Sequence, residues 1–594
     1  MKRTMIFILL LLLIPAILGA WEQNQRFWSM PWSWKGPVPN ARIGYSVSAG
    51  GDLNHDDIAD IAFSAPFDSS GGSELGTIYV AAGNSDGWQP EQDVTTATVA
   101  SFKGEASGDH PGWSVAIVPS INGDTYDDLI IGAPDNDEAG SDAGKIYIFF
   151  GDNTWWGHDV SLATADASFI GEAAGNKAGH IVASAGDVNN DGKNDFIIGA
   201  PFAGSGRVYL ILGKNSGWND SVSLSSADAI FIGENDQFNL TRAGFSISGV
   251  ADLNGDNRDE ILIGAPKYSP DFTFMFIGKA YLVLGKATGW SQNDTLSNAD
   301  YSFLGSVAGD ELGTTVAYAG DIDDDNTGDF LVSSPVGTGN VYAFLGTSVG
   351  SWGDDTPITS ADVRMIGASA STGDAMAMLG DVDGDGIDDF GIGAPDFGAG
   401  YGKAYAILGR TTWPSEIQLE NSEGGWQGVG HKDWAGRSIT GGDVNDDGLA
   451  DLIVGVDGSP FAGFDAGLVY GMPSNYGADQ VAPAAIIDLT ATYDLNDHAT
   501  LSWTGVTVDE LGGAEETLFY RVLRFHHKFT EPVGTFVRRL PSVIHPTVAI
   551  SDTVDVLGEV DDFYYYHVFS VDTSGNMSVF SNGTGEFDYS SDIP

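Results

Sequence analysis

Along most of the chain, apolar runs of a few residues alternate with turns rich in Gly and Asp. The same order of runs returns about every 60 to 70 residues. One unit shows the pattern. Phe169-Ile170-Gly171-Glu172 is followed by a run from Gly179 to Ala185, and then by an acidic loop from Gly186 to Asp195. Phe196-Ile197-Ile198-Gly199-Ala200-Pro201 gives a second apolar run, and Val208-Tyr209-Leu210 lies in a third that ends at Gly213. Runs this short, bounded by turn-forming residues, predict β-strands rather than helices. Four strands per unit are the content of one propeller blade.

Each piece recurs. Acidic loops open at Asp52, Ser120, Asp187, Asp252, Asp321, Asp381 and Asp443. Strands end in Ala65-Pro66, Ala133-Pro134, Ala200-Pro201, Ala265-Pro266 and Ala394-Pro395, with Ser334-Pro335 and Val456-Asp457 as variants. A tyrosine marks every third strand, at Tyr79, Tyr147, Tyr209, Tyr281, Tyr342, Tyr405 and Tyr470. The fourth strand carries a large residue, any residue, then Gly, beginning at Phe102, Phe169, Phe231, Phe303, Met365 and Trp426. Its seventh copy, Trp34-Lys35-Gly36, precedes the first acidic loop, and none follows Tyr470. A closed ring in which the N-terminal strand completes the last blade explains that displacement and leaves no open edge. An open solenoid of seven units is the alternative, but it gives the displaced strand no reason to exist.

The loops read Asp-x-Asp/Asn-x-Asp-x-x-x-Asp. Side-chain oxygens at alternate positions converge when the chain curls tightly, the seventh position supplies a backbone carbonyl, and the ninth closes the sphere. The expected ligands are Asp52, Asn54, Asp56 and Asp60; Asp187, Asn189, Asp191 and Asp195; and Asp252, Asn254, Asp256 and Glu260. They continue with Asp321, Asp323, Asp325 and Asp329; Asp381, Asp383, Asp385 and Asp389; and Asp443, Asn445, Asp447 and Asp451. An all-oxygen, carboxylate-rich set with flexible geometry favours Ca²⁺ over Mg²⁺. The second loop is the weak one, because Ser120, Asn122, Asp124 and Asp128 bring only two carboxylates. About six strong sites and one weak site are therefore expected. Asp and Asn also favour turns without any metal, but recurrence between the same two strands argues for ligation. Without a cation, the gathered carboxylates would repel and oppose the hairpin.

Composition adds limits. Against 26 Lys+Arg stand 82 Asp+Glu, a formal charge of −56, which excludes nucleic acid and anionic membrane surfaces as partners. Apolar residues at 42% and aromatics at 11% supply a core, so the acidity does not mark a disordered chain. There is no cysteine, hence no disulfide, thiolate metal site or Cys nucleophile. Lys2 and Arg3 before an apolar run, with Gly19-Ala20 after it, read as a secretory signal over residues 1–20. An uncleaved anchor is the alternative, but the run falls short of the roughly 20 residues a span needs. A secreted or cell-surface protein with no transmembrane span after cleavage is expected.

The Phe-x-Gly strand, the Gly-Ala-Pro strand end and the Asp-x-Asp-x-Asp loop resemble the FG-GAP repeat, the blade unit of integrin α-subunit propellers and of many exported microbial proteins. The resemblance covers residues 28–475. It implies calcium in the loops on one face, with extracellular protein or glycan ligands on the opposite face. No Asp-x-Ser-x-Ser motif marks an inserted adhesion domain, and acidic loops occur in all seven units rather than the later ones alone. An integrin heterodimer is therefore not implied, whereas an adhesion-type role is.

Residues 476–485 read as a linker after a propeller over 21–475. Residues 486–594 then show strands at Ile487 to Ala491, Ala499 to Trp503, Phe519 to Arg524 and Tyr564 to Asp572, with a turn at Asp572-Thr573-Ser574-Gly575-Asn576. They resemble a fibronectin type III β-sandwich. The fold class is thus all-β: a seven-bladed β-propeller followed by an immunoglobulin-like sandwich. No HExxH pair is present and no segment is left over for a separate catalytic domain, so a binding protein rather than an enzyme is expected. A secreted hydrolase or a structural surface component is the alternative.

Overall fold

A computed structural model describes residues 30–474, except 71–73, 235–239, 272–274, 423 and 460–464, together with strand Gln25–Arg26 and six strands between 490 and 587. Seven sheets form the blades. Blade 2 is typical, with Ser114–Val118, Asp128–Ala133, Lys145–Phe149 and Ala167–Ile170 in antiparallel order. The first strands are Val47–Gly51, Ser114–Val118, Ile181–Gly186, Ser246–Val250, Val316–Gly320, Ala375–Gly380 and Ser438–Gly442. Each packs on its neighbours, and the seventh returns to the first.

The core is divided between the blades. Seven clusters of buried side chains each draw on two consecutive blades. Ile146 and Phe169 of blade 2, for example, join Phe196 and Tyr209 of blade 3. Second strands are buried along their whole length, which is why they read as continuous apolar runs rather than as alternation. The glycine of the Gly-Ala-Pro motif also serves this packing. A Cβ on Gly132 would stand 2.1 Å from the carbonyl oxygen of Gly179, the residue that turns at φ +82° into the next blade. Only an absent side chain lets the two backbones approach so closely.

Ring closure occurs as the repeat count predicts. Trp32–Lys35 pairs antiparallel with Leu468–Met472, placing Trp34 opposite Val469. The structure adds a feature not anticipated from the repeats. Every sheet has a fifth, short strand running parallel to its fourth, and it comes from the following blade: Val160–Ser161 lies beside Ala100–Lys103, and Val222–Ser223 beside Ala167–Ile170. In the sixth sheet this place is taken by Gln25–Arg26, paired with Trp426 and Gln427, so the N-terminal stretch clasps two blades in succession. A tight turn behind the fifth strand anchors it through one buried side chain: Val94, Leu162, Leu224, Leu296, Ile358 or Leu419. The aspartates Asp166, Asp228, Asp300 and Asp362 then accept the N–H groups of Phe150, Leu212, Leu284 and Leu345 at 2.9–3.0 Å.

Strands Thr490–Tyr493, His498–Ser502 and Thr553–Leu557 form one three-stranded sheet. Thr517–Phe525, Tyr564–Asp572 and Glu586–Phe587 form another. The expected signal at 1–20, the linker at 476–485 and the turn at 573–576 lie outside the described residues.

Trp34 tests the closure. Its side chain is fully buried against Phe63 and Trp88, with ring centroids 5.6 and 5.1 Å away. Trp34→Ala is expected to cost about 3–5 kcal/mol of stability, the range for emptying a large aromatic site. Chemical unfolding of the variant beside the parent chain measures it.

Candidate functional site

Each acidic loop joins the first strand of a blade to its second. The curl comes from two left-handed residues, at the fourth and sixth positions: His55 and Asp57, Asn190 and Gly192, Gly255 and Asn257, Asp324 and Asn326, Gly384 and Gly386, Asp446 and Gly448. Gly, Asn and Asp tolerate this conformation best. With the chain so bent, the carboxylate that opens each of these loops accepts the N–H of the sixth residue at 2.7–2.9 Å.

Among the described residues, carboxylate oxygens lie within 4.8 Å of one another in the groups Asp252, Asp256, Glu260; Asp321, Asp323, Asp325; and Asp381, Asp383, Asp385. The first loop gathers Asp52 with His55 and Asp57 instead, placing a histidine beside two acids. The Asn-containing third and seventh loops do not bring three acids together in this way. In the first and seventh, Asn54 and Asn445 turn back onto Asp56 and Asp447.

The ninth-position acids are fully buried. All seven accept the N–H of the loop's second residue at 2.8–3.1 Å. Six of them also accept an N–H from the end of the third strand: Gly83, Gly151, Gly213, Gly346, Gly409 or Ser474. They lock the loop to the sheet. Only the longer Glu260 also reaches the grouped acids of its loop. Burial pushes these carboxyls up, to about 7 at Asp60 and Asp128 and about 8 at Asp195, Glu260, Asp329, Asp389 and Asp451.

A cation fits these loops by donor chemistry and by two orphaned atoms. Asn189 Oδ1 and Asp323 Oδ1, both at the third position, are buried without a hydrogen-bond partner. Such an oxygen carries its full desolvation cost unless something electropositive meets it. The second loop differs. Its fourth residue, Gly123, is left-handed but its sixth, Thr125, is not. The Ser120 hydroxyl donates toward Asn122 Oδ1 and Asp124 Oδ1 at 3.2 and 3.4 Å, a proton donor standing where other loops carry an acid.

The loops are also tied to one another. Asp127, Asp259 and Asp388, at the eighth position of blades 2, 4 and 6, accept the N–H of Asp52, Asp187 and Asp321 in the preceding blade at 2.7–2.9 Å. Burial raises the pKa of all three carboxyls. Ala59, Asn194, Gly328 and Ala450 hold this position in the other blades, so the clamps couple blades in pairs.

At the opposite end of the first strands lies a crown of seven residues, each following a left-handed glycine: Tyr45, Trp113, His180, Phe245, Thr314, Asp374 and Arg437. They line a central cavity of about 740 Å³. Four consecutive members form an arc of rings, with centroid separations of 4.9, 6.1 and 5.2 Å. Phe67 and His110 extend the arc from Tyr45, and Phe202 lies beside His180. Arg437 donates to the Tyr45 hydroxyl at 3.2 Å. Beside the arc, His110 Nδ1 lies 2.7 Å from Asp135, which also pairs with Lys177 and whose carboxyl these partners hold below its usual range. The crown was missed in sequence because its members share only a place after a glycine, not a residue type.

Comparison with known proteins agrees with this architecture. The FG-GAP repeat model matches residues 43–81, 111–149, 178–211 and 435–472, which fall in blades 1, 2, 3 and 7. The chain is similar to Integrin alpha-PS2 of Drosophila melanogaster, 30% identical over 269 residues, covering 43% of this chain and 17% of that protein. Integrin alpha-6 of Gallus gallus is 28% identical over 236 residues, covering 39% of this chain and 19% of its own length. Integrin alpha pat-2 of Caenorhabditis elegans is 28% identical over 297 residues, covering 42% and 22%. The chain thus spans about a fifth of the length of the relatives it matches. It carries FG-GAP repeats in a seven-bladed propeller and has integrin α homologues.

His180 gives the crown a pH signature. Burial first, then the nearby Lys177, Arg242 and Arg437, lower its pKa to about 4, against the opposing pull of Asp135. The unfolded imidazole protonates near its ordinary 6.5, so this contribution to stability is complete above that pH and is lost as pH falls towards 4. His180→Phe is expected to flatten this part of the profile. Denaturant unfolding of both proteins between pH 7 and 4 measures the difference.

Proposed function

We propose that this chain is an exported, calcium-binding, integrin-α-like propeller protein acting in adhesion or extracellular protein or glycan binding. Calcium in the hairpin loops stabilises the ring on one face, and the ligand docks on the opposite face. The observation that carries this reading is the repeated loop itself. Six of seven loops share the same pair of left-handed residues and the same opening carboxylate, and two of them hold a buried oxygen with no partner. Hard divalent cations satisfy such oxygens with little demand for ideal geometry. The ligands proposed are the first-, third- and fifth-position residues, from Asp52, Asn54 and Asp56 to Asp443, Asn445 and Asp447, completed by the ninth-position acids where these reach, as Glu260 does.

The second loop is proposed to stay metal-poor because Ser120 satisfies Asn122 and Asp124 through its hydroxyl. Export follows from the proposed signal over 1–20, and a fibronectin type III-like module over 486–594 is proposed to space or present the propeller. Among the described residues, no helix is long and apolar enough to cross a membrane. The integrin homologues favour binding over catalysis, and no observation favours the hydrolase or matrix-component alternatives.

If calcium holds the loops, removing it exposes carboxylate repulsion on one whole face. Scanning calorimetry with calcium and then with excess chelator is expected to show a fall in melting temperature on the order of 10 °C or more, since several bound ions act together. An unchanged melting curve would sink the metal reading. Calorimetric titration of chelator-treated protein is expected to count about six tight sites. Asp321→Asn is expected to weaken or remove one of them.

A further inference from the structure

We propose that the crowned mouth of the central cavity binds a pyranose residue of an extracellular glycan. This deepens the adhesion reading and rests on it, because it names the ligand class for the face opposite the acidic loops.

Shape is the first argument. The cavity of about 740 Å³ is a concave pocket of the size that holds small ligands, roughly 300–1,000 Å³, rather than a flat protein-docking surface. Chemistry is the second. Tyr45, Trp113, His180 and Phe245 wall one side in unbroken succession. The electronegative faces of such rings match the C–H hydrogens that a sugar ring presents on its apolar face. Asp374 and Arg437 complete the crown, offering an acceptor and a fork of donors to hydroxyl groups. Arg437 is held in place over the Tyr45 ring, 5.0 Å from its centroid.

The deeper hydroxyls are already engaged. Ser46, Ser114, Ser246 and Ser248 accept N–H groups of the neighbouring blade at 2.8–3.1 Å. Recognition therefore falls to the crown, where His180 Nδ1 is buried and has no hydrogen-bond partner. Charge at the mouth is mixed: Arg437 and Asp374 both line it, and Lys177 pairs with Asp135 beside the arc, so a neutral or a carboxylate-bearing sugar can find a partner there.

The test places the full chain, calcium-loaded, on an array of neutral and uronic-acid oligosaccharides, and follows the strongest probe by titration calorimetry. Saturable binding is expected, weakened at least tenfold by Trp113→Ala. Thr314→Trp, which fills the mouth from the crown position next to Phe245 while leaving the four arc residues unchanged, is expected to abolish it. Melting temperatures within a few degrees of the parent chain confirm that both variants fold. Neutral and uronic-acid hits alike support the site and report which sugar it prefers. Absence of binding to every oligosaccharide overturns the proposal, as does binding that persists at full strength in both variants. A purified protein ligand whose binding survives its own deglycosylation and Thr314→Trp overturns the sugar site while leaving the adhesion reading standing.

Discussion

Hydrogen bonds between Trp32–Lys35 and Leu468–Met472 hold together strands more than 400 residues apart, and the whole ring depends on them. A propeller without this pairing would end in an exposed sheet edge, with its first and last blades free to part. The flanking pairing of Gln25–Arg26 with the sixth sheet spreads the same joint over two blades. Because the core is divided into seven layers between blades, opening one joint exposes a complete layer. The layer at the joint holds Trp34, Phe63, Tyr79, Ile453 and Val469. Only with that layer shut does the central cavity have a continuous wall.

The two faces solve opposite electrostatic problems. On one, acids are concentrated in small loops, and the fold answers with backbone N–H groups aimed at every opening and closing carboxylate. It also links loops across blades through Asp127, Asp259 and Asp388. Backbone dipoles spread the charge but leave Asn189 Oδ1 and Asp323 Oδ1 without a hydrogen-bond partner, oxygens of the kind a hard cation would bind. On the other face three arginines lie against aromatic rings. Arg42 lies between Phe67 and Trp434, Arg242 over Phe202 and Arg437 over Tyr45. One end of each first strand thus meets the acidic loops and the other the crown, and five or six residues separate them.

Much of this was legible in the residue order. The number of blades, their strand types, the displaced Trp34-Lys35-Gly36 strand and the departure of the second loop from the other six all follow from features that recur at fixed offsets. Local chain geometry acts on neighbours, so Gly192 two places after Asn190 announces its own turn. The Gly-Ala-Pro motif was readable as a marker, but its reason was not, because the backbone that Gly132 admits belongs to Gly179 in the next blade. Likewise, the tight-turn anchors such as Leu162 and Leu224 recur plainly, yet nothing local says that the strand before each one pairs with the preceding blade.

By itself, the sequence determined the repeat, the ring of seven and the positions of the acidic loops, since each is a pattern within about 70 residues of chain. Tertiary structure alone decided which side chains from different blades meet. Tyr45, Trp113, His180 and Phe245 become neighbours only because blade closure sets successive first strands side by side. The ninth-position acids become strand locks, with Glu260 also reaching its loop's acids, because burial and reach depend on packing rather than spacing. Side chains that act across blades are governed by the ring's geometry, and no short-range pattern encodes that.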